Sequence, residues 1–153
     1  MSDSTHPPEY SHILVTTDFS EAALAGLREA ARLARALGSR VTVLYVVEEH
    51  LPSLNYTTAE ERLKIRLQHE EAARESLERY TVEHLSGVDT EVRVQVGLPH
   101  EQIVNAAGDL QADLLVIGTH GYGAIGRALF GSTTLRVLHD APCPVVAVRS
   151  EKG

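Results

Sequence analysis

Two short runs of unbroken apolar residues, Ile13-Leu14-Val15 and Leu114-Leu115-Val116-Ile117, place the tightest constraint on how this chain folds. Neither alternates with polar residues, so each reads as a short strand buried on both faces. Strands of that kind need neighbours on either side and cover above and below.

The rest of the chain supplies both. Val41-Thr42-Val43-Leu44-Tyr45-Val46-Val47 and Val145-Val146-Ala147-Val148 read as two more strands. From Glu91 to Val96 the pattern alternates strictly, with Val92, Val94 and Val96 on one side and Glu91, Arg93 and Gln95 on the other, as in a half-exposed strand. Helix signals fill the gaps. Ser20 caps a helix carrying Leu24, Leu27, Ala31 and Ala34, and Gly38 stops it. Thr58 and Glu61 have capping-box spacing and open a helix reaching Leu85, with Leu63, Leu67, Leu77 and Tyr80 available for one face. Pro99 suits the first turn of a helix carrying Ile103, Ala106 and Ala107, and a last helix is expected over 132–140.

The order β-α-β-α-β-α-β-α-β predicts a single three-layer α/β domain, a five-stranded parallel sheet with helices on both faces. The two wholly apolar strands belong in the middle and the alternating third strand at an edge, which gives the spatial order 3-2-1-4-5. Between the first and fourth strands the chain reverses direction across the sheet. Ligands of open α/β sheets bind beyond the carboxyl ends of the strands at such a switch point. Here those ends are Thr16-Thr17-Asp18 and Gly118-Thr119-His120-Gly121.

Composition bounds the partners. The 153 residues suit one domain, expected over 11–150 behind a loose tail of residues 1–10. A net charge of −7, from 14 basic against 21 acidic residues, argues against nucleic acid and against an anionic membrane surface. No apolar run approaches the roughly 20 residues of a membrane span. The polar, proline-containing opening MSDSTHPPEYSH lacks the regions of a secretory signal. The single cysteine, Cys143, excludes an internal disulfide and suits a reducing cytoplasm, the expected location.

The segment GTHGYGAIGRALFGSTT, 118–134, follows the fourth strand and holds five glycines in its first fourteen positions. Glycine removes the Cβ that would keep backbone away from a ligand. A loop feeding a helix start at Gly131-Ser132-Thr133-Thr134 presents free N–H groups and a partial positive charge, an anion site to which three hydroxyls add donors. The P-loop pattern is absent because its lysine is missing. The dinucleotide pattern occurs as Gly121, Gly123 and Gly126, but after the fourth strand rather than the first, and Asp140 ends a helix instead of a strand. The nucleophile elbow G-x-S-x-G is absent, and no carboxylate is placed as a general base, so no catalytic residue is assigned. The eight histidines contain no H-x-x-x-H pair, and no protein metal site is assigned. Asp18 reads equally as a helix cap or as a ligand for ribose or a phosphate-bound metal. His120 reads as a phosphate contact or a plain loop histidine, and Cys143 as structural.

Read with wider spacing, Gly118-x-x-Gly121, nine residues, then Gly131-Ser132 resembles the nucleotide-binding signature of the universal stress protein family, in its ATP-binding branch. The resemblance spans nearly the whole chain, through ILVTTDFSEAA at 13–23, VTVLYVVE at 41–48, GLPHEQIVNAAGDLQADLLVIGTHG at 97–121 and APCPVVAV at 141–148. It implies that Thr16, Thr17 and Asp18 line the nucleoside side, that Val46 backbone reads the adenine edge and that Ile117 packs near the base. Gly118, Thr119, His120, Gly121, Tyr122, Gly123 and Ala124 would wrap ribose and phosphates. Gly131, Ser132, Thr133 and Thr134 would close on the terminal phosphates. The family often has proline at the position of Thr16 and a basic residue at that of Tyr122; Arg127 stands as a partial substitute. The implied ligand is ATP with Mg2+, with AMP or a cyclic nucleotide as alternatives.

Val145–Val148 is apolar and falls at an open edge of the sheet, a liability that pairing with a second copy would cover. The resemblance implies the same homodimer. The expected function is a stress-response regulator acting on an unidentified protein partner through nucleotide occupancy. A slow ATPase or nucleotidyl-transfer enzyme at the same pocket and a dimeric module without nucleotide are the alternatives.

Overall fold

A computed structural model describes residues 10–48, 58–120 and 130–150. The chain runs β1 (His12–Thr16), α1 (Glu21–Leu37), β2 (Arg40–Val47), α2 (Ala59–His84), β3 (Thr90–Val96), α3 (Pro99–Asp109), β4 (Leu114–Gly118), α4 (Ser132–Asp140) and β5 (Val145–Val148). All strand pairs are parallel, and their order is β3-β2-β1-β4-β5. This is the expected architecture. The buried strands β1 and β4 lie side by side at its centre, with Ile13 opposite Leu114 and Val15 opposite Val116.

The side-chain alternation of the central strands divides the core into two layers. Ile13, Val15, Val41 and Val43 pack on Leu27, Ala31 and Ala34 of α1 and Leu77 of α2. Leu14, Leu44, Leu115 and Ile117 pack on Ile103 and Ala106 of α3 and Val137 of α4. The face of α1 is wider than Leu24, Leu27, Ala31 and Ala34. Ala22, Ala23, Gly26 and Ala30 are buried too, while Leu24 is only half-buried at its margin. Small residues let this helix sit close on the sheet: a Cβ at Gly26 would stand 3.3 Å from the Gly118 nitrogen.

Local signals decide the helix ends. Ser20 Oγ accepts from Ala23 N and caps α1, and Gly38 ends it at φ 71°. Thr58 and Glu61 form a reciprocal capping box on α2. The expected apolar face of α2 is corrected in its first half. Leu77 is buried, but Leu63 and Leu67 are 55% and 56% exposed. The cause is length: 26 residues at about 1.5 Å each reach ~39 Å. The eight-residue β2 spans about 26 Å at ~3.3 Å per residue. The first turns of α2 overshoot the sheet they would cover.

At the amino ends of the strands a polar network ties β1 to its neighbours. The Asp113 carboxylate accepts from Ser11 N, Ser11 Oγ and His12 N, each at 2.9 Å. Burial pushes its carboxyl upward, but these bonds outweigh burial and hold it below the ordinary carboxylate range. Thr42 Oγ1 donates to Glu91 at 2.8 Å and so accepts from His12 Nε2 at 2.7 Å, while the Arg40 guanidinium donates to His12 Nδ1 at 3.3 Å. His12 is 3% exposed.

Residues 1–9 of the expected tail lie outside the described residues. No described helix is long and apolar enough to cross a membrane.

Candidate functional site

Every strand of a parallel sheet ends at the same edge, and the helix that follows begins there. In this chain the N-termini of α1, α3 and α4 gather at that edge around the β1–β4 junction. They enclose a cleft of about 540 Å³, within the range of small-ligand sites.

One wall is the end of β1. Thr16, Thr17 and Asp18 line it, fixed by a bond from Thr17 N to Leu44 O at 3.0 Å. The turn beyond is closed by its own side chains: Phe19 N donates to Thr17 Oγ1 at 3.0 Å and Ser20 N to Asp18 Oδ1 at 2.9 Å. The cap is therefore Ser20 and not Asp18. The Asp18 carboxylate braces the entrance to α1, and it also faces the cleft.

A second wall is the end of β2, where Leu44, Tyr45, Val46, Val47 and Glu48 line the cleft. Ile117 of β4 and Ile103 and Pro99 of α3 add an apolar floor. The far end is the start of α4. Gly131 is its N-cap, with no side-chain cap bond, so first-turn N–H groups remain for a ligand. Gly131 N donates to Thr119 O at 2.7 Å, and Thr134 Oγ1 to Gly118 O at 2.9 Å, which fix this helix start to the end of β4. The Thr134 hydroxyl is thus spent on Gly118, leaving Ser132 and Thr133 as the hydroxyl donors of the turn. His120 lines the same end, and among the described residues its buried Nδ1 has no hydrogen-bond partner.

Two expectations change here. Thr119 does not line the cleft: it is 2% exposed, its N–H bonds Val148 O and its carbonyl accepts from Gly131. Gly118 lines the cleft, but what comes close to it is α1. A Cβ there would stand 2.6 Å from Ala22 O and 2.7 Å from Ala22 C. The expected positions Gly121, Tyr122, Gly123, Ala124 and Arg127 lie outside the described residues. The other expected positions, from Thr16 to Thr134, share the one cleft.

Sequence reading missed Ala23, Leu44, Tyr45, Val47, Glu48, Pro99 and Ile103 as lining residues. A signal existed for most of them. They sit at strand ends or in first helical turns, which the predicted topology already placed on this edge.

The charged side chains among the described lining residues are two carboxylates, Asp18 and Glu48. Attraction for an anion at this end comes from the α4 N-terminus and its N–H groups. Among the described residues no group of three or more His, Cys, Asp or Glu could hold a metal ion. Cys143, half-buried before β5, has its thiol pushed up by burial and then by Asp113, the state of a structural rather than a reactive cysteine.

The model of the Universal stress protein family matches residues 9–149. A universal stress protein of Thermus aquaticus is 36% identical over 141 residues, 92% of this chain and 99% of that one. The universal stress protein of Archaeoglobus fulgidus, in a structure solved in complex with dAMP, is 28% identical with a TM-score of 0.62, covering 91% of this chain and 98% of that one. A universal stress protein solved in complex with cAMP is 25% identical with a TM-score of 0.63, covering 93% of this chain and 98% of that one.

Proposed function

The chain belongs to the universal stress protein family, and from that premise we propose that it binds an adenine nucleotide, ATP, in the cleft between β1 and β4 and acts as a homodimeric regulatory protein through occupancy of that cleft. The observation that carries this reading is the uncapped start of α4, Gly131–Thr134, facing the β1 and β2 ends across one cleft. A base would lie on the apolar floor of Ile103 and Ile117 with Val46 beside it. Thr17 and Asp18 would face the sugar, and the α4 N–H groups with Ser132, Thr133 and His120 would receive phosphate. A triphosphate would bring Mg2+ with it, a cation that keeps several waters and needs only one or two carboxylates besides phosphate oxygens. Asp18 and Glu48 fit that modest demand.

The same two carboxylates favour a second reading, in which a nucleotide with fewer phosphate charges is the resident ligand. The dAMP and cAMP complexes of the two similar proteins support it. The role we infer for the cleft is binding, in the cytoplasm, with a protein partner reading the occupied state.

The test is to purify the protein gently, denature it and chromatograph what is released, then titrate the emptied protein with ATP-Mg2+, AMP and cAMP by calorimetry. The reading expects an adenine nucleotide in the supernatant and saturable binding. If nothing is released and none of the three binds, the chain is an interaction module without nucleotide. Multiple-turnover phosphate or pyrophosphate release that disappears in Asp18→Ala would make it an enzyme.

A further inference from the structure

Two non-glycine residues among those described have left-handed backbone, Phe19 at φ 65° and Gln111 at φ 50°. Gln111 follows the end of α3, where left-handed residues commonly terminate helices. Phe19 lies between β1 and the cap of α1, where helix termination makes no such demand. A bulky side chain with this backbone is an outlier, and it persists only where its surroundings over-determine it.

Two sets of contacts do so. The backbone of the turn is closed by the Thr17 hydroxyl on Phe19 N and the Asp18 carboxylate on Ser20 N. The Phe19 ring is held between Tyr45 of β2, with centroids 5.0 Å apart, and Tyr80 of α2, 5.1 Å away and edge-on. Thr17, Asp18 and Tyr45 all line the cleft, whereas Phe19 does not. The side chain that pays for the strained backbone thus stands behind the residues that face the ligand.

We infer that Phe19 is a positioning residue for this cleft: its ring, lodged between Tyr45 and Tyr80, holds its own left-handed backbone in the 17–20 turn and so sets Thr17 and Asp18 toward the ligand. The inference rests on the adenine-nucleotide reading above. It separates from ordinary core packing because glycine takes up left-handed backbone freely and alanine does not.

The experiment compares Phe19→Ala with Phe19→Gly. Both remove the ring, so global stability in urea falls in both. Hydrogen exchange of the amides of residues 19 and 20, corrected for intrinsic rates, reads the turn in the ligand-free protein. Calorimetry with ATP-Mg2+ and AMP reads the cleft. In Phe19→Ala both amides are expected to exchange about tenfold faster than in the native protein, with affinity falling by a similar factor. Phe19→Gly is expected to recover most of both losses. Equal exchange in the two variants would make the ring plain packing and overturn the inference. So would a Phe19→Ala protein whose amides are exposed but whose affinity is native. A native protein that binds neither nucleotide overturns the functional reading instead, while the exchange contrast still decides whether Phe19 holds the turn.

Discussion

Gly118 and Gly131 bracket the same loop, yet a side chain would meet different surroundings at each. At Gly118 an added Cβ strikes the backbone of Ala22 at 2.6 Å, and backbone in the first turn of α1 cannot swing aside. Gly118→Ala is expected to destabilise the protein by about 1–3 kcal/mol in urea unfolding, a cost of overpacking. A loss of nucleotide binding in that variant would say nothing about the ligand. At Gly131 the backbone is extended, φ −70° and ψ 164°, and the nearest atom to an added Cβ is Thr119 O at 3.6 Å. Serine is a favoured residue at an N-cap, so Gly131→Ser should leave stability unchanged or raise it by a few tenths of a kcal/mol. Its side chain would enter the cleft and weaken ATP binding about tenfold, near 1.4 kcal/mol; unchanged calorimetric affinity would show that no phosphate lies against this turn. Glycine spacing made both positions legible as important. It did not distinguish them, because the reason for Gly118 lies on α1, nearly a hundred residues earlier in the chain.

Single elements were legible where their signals are local. Ser20, Gly38, the Thr58–Glu61 box and Pro99 act within one turn of backbone, and each marks a helix end in the fold. Burial along α2 was less legible, because an apolar face shows which side of a helix can be covered and not how far the cover extends. The strand network around His12 was not legible at all, since its partners lie on β2, β3 and the approach to β4. Burial first, and then the Arg40 charge, hold the His12 imidazole below its ordinary pKa. The Leu110 carbonyl, Glu91 and Asp113 pull it back up without prevailing. The folded protein therefore takes up this proton at lower pH than the unfolded chain, whose histidine titrates near 6.5. Below that pH the unfolded state binds more protons, and stability falls on acidification until the folded pKa is passed. The expected contribution approaches, at most, about 1.4 kcal/mol per pH unit. Urea unfolding of the native protein and of His12→Gln, which keeps a donor for Thr42, should differ in slope below pH 6.5, near the ordinary histidine value, with the variant the flatter. Parallel slopes would mean that His12 takes its proton equally well in both states.

The order of the sheet was legible because the apolar runs of β1 and β4 suit the centre and the alternating β3 suits an edge, although the equally apolar β5 takes the other edge. The same order leaves β5 at an edge, where a further question belongs to the molecule rather than to any element. All four residues of β5 are half-buried, and Leu135 and Leu138 of α4, the helix leading into it, are 53% and 38% exposed. Pairing with β5 of a second copy about a two-fold axis would bury this apolar margin and satisfy the open backbone. Val146 is a poor place to test that idea, since its side chain packs against the core layer beneath α1. The backbone offers a better one. Pro144 O accepts from Leu115 N and Val148 O from Thr119 N, so these even-numbered residues turn their polar groups toward β4. Backbone groups alternate along a strand, which sends those of Val145 and Ala147 to the open edge. Proline is tolerated on an edge strand when the missing N–H faces outward. Ala147→Pro should therefore keep the fold, judged by circular dichroism, while converting a dimer to a monomer in sedimentation equilibrium at micromolar concentration. A native chain that sediments as a monomer would refute the interface outright. A dimer that survives the proline must be held by some other surface, and the exposed leucines of α4 would then be the first place to look.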